Sequence, residues 1–147
     1  MTGHKPKIAT DANSGRVAAE HRNVRLRAFL YAASHEADND FHLMIGRDSA
    51  SPPHVYMTGE ISGLPPQDSA SFARLNAARS ACKTFFAGLV PTTSYDFYDP
   101  PIPIEVEGSL LFDMMHAHGQ GPGPASLRKN IPTIWEVHPI SKIVFEP

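Results

Sequence analysis

The sequence predicts a mainly β domain in which five strands close into a small barrel and one α-helix lies between the third and fourth strands. Three observations carry this expectation. Alternating apolar and polar residues recur in five stretches, the period-two pattern of half-buried strands. Only one stretch, roughly 71–87, spaces its apolar residues as a helix does. Fourteen prolines punctuate the remainder, which favours turns and long loops over further helix.

Residues 1–22 show no such period and are expected to form a flexible N-terminal arm before a single domain over 23–147. The first strand runs over Val24–Ala32, with Val24, Leu26, Ala28 and Leu30 on one face. The second spans about Asp38–Arg47; Phe41, Leu43 and Ile45 form its apolar side, and Asp40, His42 and Met44 the other. A turn-rich stretch leads to the third, His54–Ile61, with Val55, Met57 and Ile61 inward and His54, Tyr56, Thr58 and Glu60 outward. Ser69 or Ser71 is placed to cap the helix, which reaches about Ala87 and stops at Gly88. Its stripe is Phe72, Leu75, Ala78, Cys82 and Phe85 or Phe86, with Arg74, Arg79 and Lys83 expected on the wet side. A long proline-rich loop, Val90–Pro103, carries Tyr95, Phe97 and Tyr98. Ile104–Asp113 is the fourth strand, and a Gly/Pro-rich loop precedes a last strand, 134–145, bent at Pro139. This order matches the connectivity of the OB-fold, an OB-fold-like barrel whose closure removes exposed strand edges. Gly59 and Gly108 suit the tight corners of such a barrel.

Composition narrows the function classes. Hydrophobic residues make up 41% and charged residues 19% of the chain, as in an ordinary folded domain. A formal net charge of −2 speaks against strong non-specific nucleic-acid binding. The lone Cys82 forms no internal disulfide and, on a helix stripe, reads as a small apolar filler. No window approaches the ~18 apolar residues of a membrane span, and the first residues lack a hydrophobic leader core. A cytoplasmic location is expected, with export after removal of a leader as the alternative.

Chemistry-bearing residues fall into three groups. Glu36, Asp38, Asp40 and His42 alternate along one strand face, where carboxylates and an imidazole can hold a divalent cation or act as an acid/base pair. His116 and His118 form an H-x-H pair after Asp113, a common metal-ligand spacing. Glu136 and His138 share a face, and the carboxylate can orient the ring. In a closed five-stranded sheet these groups are expected to converge on one rim. His42, His116, His118 and His138 are then metal-ligand candidates, with a divalent ion such as Zn as the cofactor. Asp40 and Glu136 are catalytic candidates, and Tyr56, Glu60 and Gln120 candidate ligand contacts.

The segments Asp38-Asn39-Asp40-Phe41-His42-Leu43, Gly59-Glu60-Ile61, Ala78-Arg79, Gly108–Asp113, His118-Gly119-Gln120 and Glu136-Val137-His138-Pro139-Ile140 resemble a group of small bacterial proteins. Its pattern reads D-x-D-x-H, E-I-P, A-R, G-x-x-F-F-D, H-G-Q and E-L-H-P-V. The resemblance spans most of residues 24–145 and implies positions, not a reaction. Ser62 stands where that pattern has proline, and the loop between Gln120 and Trp135 is longer. Three function classes remain open: a module binding an oligonucleotide, sugar or peptide; a metal-dependent hydrolase or phosphodiesterase; and a structural or assembly protein that forms an oligomer.

Overall fold

The computed structural model describes residues 15–117 and 120–146. Five strands, β1 (Asn23–His35), β2 (Phe41–Gly46), β3 (Tyr56–Ile61), β4 (Asp96–Phe112) and β5 (Trp135–Phe145), form one sheet. The sheet closes in the order β1-β2-β3-β5-β4 and back to β1. Neighbours are antiparallel except β3 and β5, which meet in parallel through Gly59 and Val137. The main helix, α1 (Phe72–Phe86), lies between β3 and β4; a single turn, α2 (Ala125–Arg128), lies in the β4–β5 connection. No helix among the described residues is long and apolar enough to cross a membrane.

The alternation read from the sequence sorts side chains as expected. Leu30, Phe41, Leu43, Ile45, Ile61, Val106, Val137 and Ile140 are buried inside the ring. Helix α1 adds Cys82 and Phe86 to that core. Burial pushes the Cys82 thiol up to about 12, so it is an un-ionised apolar filler.

Three features differ from the expectation. Strand β1 continues past Ala32 to His35 through a bulge between Leu30 and Ala32. Strand β4 begins at Asp96, inside the stretch read as a loop. Its first residues pair with β1 alone, Phe97 opposite Ala32 and Asp96 opposite Ala33, whereas pairing with β5 starts at Ile104. Prolines are tolerated there because one side of the segment carries no ladder. Third, Arg79 is not on the wet side of α1; it is 3% exposed. Position 79 falls four residues after Leu75 and three before Cys82, in the middle of the buried stripe.

Of the segment read as an arm, residues 1–14 lie outside the described residues. Residues Ala18–His21 form a 3-10 turn. The buried Glu20 carboxylate accepts from the backbone N–H of Val17 at 2.7 Å and of Phe112 at 3.1 Å, which fastens the turn to the end of β4.

Candidate functional site

The site lies on the outside of the ring, where β2, β3 and β5 come together. Strand pairing sets Ser34, His42 and Glu60 side by side in one row across β1, β2 and β3. The parallel contact of Gly59 with Val137 brings the outward residues of β5, Glu136 and His138, next to Glu60. Asp40 precedes β2 and is held by the β1–β2 turn. There Asn39 takes the left-handed conformation (φ 73°) that asparagine tolerates, and Glu36 N–H donates to the Asp40 carbonyl at 2.8 Å. The Asp40 carboxylate accepts from Gly63 N–H at 2.5 Å, just past the end of β3.

These placements bring one ligand atom each from Asp40, Glu60 and His138 within 4.8 Å of one another. His138 Nδ1 lies 3.0 Å from a Glu60 oxygen and 3.0 Å from a Glu136 oxygen. Its Nε2 lies 2.8 Å from Ser62 Oγ. His42 Nε2 lies 3.4 Å from the other Glu60 oxygen. Glu60 and Glu136 are nearly buried, while His42 and His138 keep about a quarter of their side chains in water. Among the described residues, the ion-pair partners of Glu60 and Glu136 are these two histidines.

The electrostatics follow from that crowding. Burial, with Glu136, Asp40 and Asp113 nearby, drives the Glu60 carboxyl up to about 8 against the opposing pull of His138. His138 is pulled down by burial. The hydrogen bond to Glu136 and the charges of Glu60, Glu136 and Asp40 together outweigh that and hold its pKa above the ordinary value.

Arg79 holds the frame. Its Nη1 donates to the carbonyls of Asn39 at 2.8 Å, Ser62 at 3.0 Å and Ile61 at 3.4 Å; its Nη2 donates to Asn39 Oδ1 at 3.0 Å. One guanidinium from α1 thus ties the turn that presents Asp40 to the end of β3 that presents Glu60. The guanidinium also sits 4.8 Å over the Phe41 ring. Sequence reading missed this role, although the residue's place in the apolar stripe was the available signal.

The other sequence candidates are placed as follows. His116 pairs with Asp113 inside a 3-10 turn, where Asp113 also accepts from the N–H groups of Met115 and His116. The Asp113 charge reaches Glu60, so this pair borders the cluster without joining the three-atom group. His118 lies outside the described residues. Gln120 accepts from Arg128 Nη1 at 3.1 Å. Tyr56 stands two rows from Glu60 along β3, about 13 Å away, and packs edge-on against Tyr31. Among the described residues the cluster is therefore built around Asp40, Glu60 and His138, with His42 and Glu136 adjoining. Glu60 is its centre. No protein-family model, curated protein or solved structure matches this chain.

Proposed function

We propose that the chain is an OB-fold-like protein that binds a divalent cation through Asp40, Glu60 and His138 and uses it to hydrolyse a bound substrate. The strand order, with α1 between β3 and β4, supports the OB-fold-like reading. The resemblance to the bacterial group rests on the segments that carry Asp40, Glu60 and His138.

The observation that carries the cation reading is the approach of three donor atoms within 4.8 Å in a place where carboxylates outnumber cationic partners. Buried carboxylates this close repel one another and must be protonated, paired or metal-bound. Two carboxylate oxygens crowd the same His138 nitrogen at 3.0 Å, and one proton on Nδ1 cannot serve both fully. A cation at that point satisfies all three groups. His138 then binds through Nδ1, with Nε2–H donating to Ser62 Oγ, the outer-shell support that fixes a ligating imidazole. Oxygen donors together with one imidazole suit Zn²⁺ or Mn²⁺.

A divalent ion lowers the pKa of a bound water to about 7 and so supplies a nucleophile. His42, beside Glu60 and partly in water, is placed to accept its proton. The Glu136 carboxylate, 3.0 Å from His138 Nδ1, adds negative charge beside the cation. The test is metal titration by calorimetry on chelator-stripped protein, followed by screening for hydrolysis of aryl phosphodiesters and esters. Stoichiometric binding that is lost in Glu60→Gln and His138→Ala supports the reading. Failure of Zn²⁺ and Mn²⁺ to bind at pH 8 refutes it and returns the cluster to a hydrogen-bonded network of a binding or assembly module.

A further inference from the structure

The row next to His42 and Glu60 holds a second feature. Ala32, Met44 and Thr58 lie side by side there, one step of about 7 Å along the strands. Although these residues point out of the ring, Met44 and Thr58 are buried. The β4–β5 connection covers them: a Cβ on Gly123 would meet Met44 Sδ at 2.8 Å. Arg128, at the end of α2, donates from Nη2 to the Gly123 carbonyl at 2.7 Å and from Nη1 to Gln120 Oε1 at 3.1 Å. Its guanidinium is thereby fixed beside Gly123, the residue that packs on Met44.

Two buried side-chain polar atoms among the described residues have no hydrogen-bond partner, Thr58 Oγ1 and Arg128 Nε. Thr58 is 3% exposed. An unmet buried hydroxyl or guanidinium N–H is costly, so these two atoms require an explanation. Both can donate. Arg128 also has only neutral acceptors, an amide oxygen and a peptide carbonyl, and among the described residues no carboxylate pairs with it. Burial raises the pKa of the Tyr95 hydroxyl, on the approach to β4, and the charges of Glu60 and Arg128 both reach it.

We propose that Thr58 and Arg128 form an anion subsite beside the cation, and that the substrate is a phosphate ester. This rests on the cation reading for the hydrolytic step, but the subsite can be tested without it. A phosphoryl oxygen takes Arg128 Nε–H and the Thr58 hydroxyl, while another oxygen faces the cation. The Arg128 charge then offsets the charge that builds on the phosphoryl oxygens as water attacks phosphorus and the ester oxygen leaves. Arg128 is fixed by Gln120 and Gly123 before substrate arrives, so little ordering is needed.

The experiment titrates inorganic phosphate into wild type, Thr58→Val and Arg128→Met, each with and without saturating Mn²⁺. Mn²⁺ binding is measured separately in all three. The expected result is phosphate binding to wild type that weakens at least tenfold in both variants, with Mn²⁺ affinity unchanged. Thr58→Val should also melt higher than wild type, because it removes an unpaired buried hydroxyl and keeps the shape. A higher melting temperature with unchanged phosphate affinity overturns the subsite. So does absence of phosphate binding to wild type with and without Mn²⁺. Phosphate binding that depends on Thr58 in a protein that takes no Mn²⁺ keeps the subsite and refutes only the cation reading. Thr58→Val carries the decision if Arg128→Met fails to fold.

Discussion

Replacing Arg79 by methionine tests the frame of the site. Methionine keeps the stem and removes the donors, leaving the carbonyls of Asn39, Ile61 and Ser62 and the Asn39 amide oxygen without that partner. Three of the four bonds are 3.0 Å or shorter. A hydrogen bond to a charged group contributes about 1.5–3 kcal/mol, so their gross loss is about 5 kcal/mol. Against this, burial already disfavours the charge, lowering the guanidinium's pKa despite the Asp40 carboxylate nearby, and that cost vanishes with the cation. The expected net destabilisation is about 3 kcal/mol, in the range found when one partner of a buried charged group is removed. For a domain of this size that is roughly 6–12 °C in melting temperature. Urea denaturation and a thermal melt measure it. Divalent-metal affinity should fall in the same variant, because Asp40 and Ser62 lose their common anchor. Arg79→Lys should recover less than half, since a point charge cannot span the turn and the strand end together. A loss below about 1 kcal/mol in Arg79→Met would show that the guanidinium is not what holds the turn to β3.

Two further outcomes follow from the cluster. A cation at a hundredfold excess over its dissociation constant stabilises by about 2.7 kcal/mol, so Zn²⁺ or Mn²⁺ should raise the melting temperature by about 5–10 °C, and Glu60→Gln should abolish that rise. For metal-free protein, Glu60 has a folded pKa raised from 4.5 to about 8, so the native state holds the extra proton in that window and stability falls as pH rises through it. His138, also raised, contributes stability that is complete below its unfolded pKa and is lost as pH climbs past its folded one. Chemical denaturation should therefore show declining stability from pH 5 to 8. In Glu60→Gln the decline should flatten; an equally steep slope would contradict the assignment.

Much of this was legible in the sequence, and for a physical reason. A strand with one face in the ring leaves a period-two record, so the inward set from Leu30 to Ile61 and the outward Asp40, His42 and Glu60 could be sorted without coordinates, and Glu136 and His138 could be put on one face. Which outward residues meet could not. That depends on register and closure: His42 stands opposite Glu60, and one parallel contact brings His138 beside them. Glu60 read as a ligand contact because nothing local marks it as the meeting point of three strands. Thr58 looked like an ordinary outward residue, since its burial comes from a connection more than sixty residues later in the chain, at Gly123 and Arg128. Arg79 was lost for the opposite reason: its charge outweighed its position in the stripe. The prolines before Ile104 masked the start of β4 because a strand paired on one side alone does not need every N–H.

The cluster's geometry also depends on packing inside the ring. Strand β5 shifts register against β4 on either side of Gly108, and at that crossing the two chains approach closely. A Cβ on Gly108 would lie 2.5 Å from the Pro139 carbonyl oxygen, 2.6 Å from Val137 Cγ1 and 3.0 Å from Ile140 Cα. Two of these three atoms are backbone, so β5 itself must move. The residues concerned bracket His138, and β5 is joined to β3 in register only at Val137 and Gly59. Gly108→Ala should therefore push His138 away from Glu60 although the substitution touches neither. Overpacking of this kind costs about 1–3 kcal/mol, read by urea denaturation, and divalent-metal affinity should drop along with it. Gly59→Ala provides the contrast, since its Cβ would meet the flexible end of Ile140 at 3.0 Å and that side chain can turn aside with less backbone shift. If Gly108→Ala lost stability but bound metal as wild type does, the position of His138 would be set by its own contacts with Glu136 and Ser62 and not by the crossing of β4 and β5.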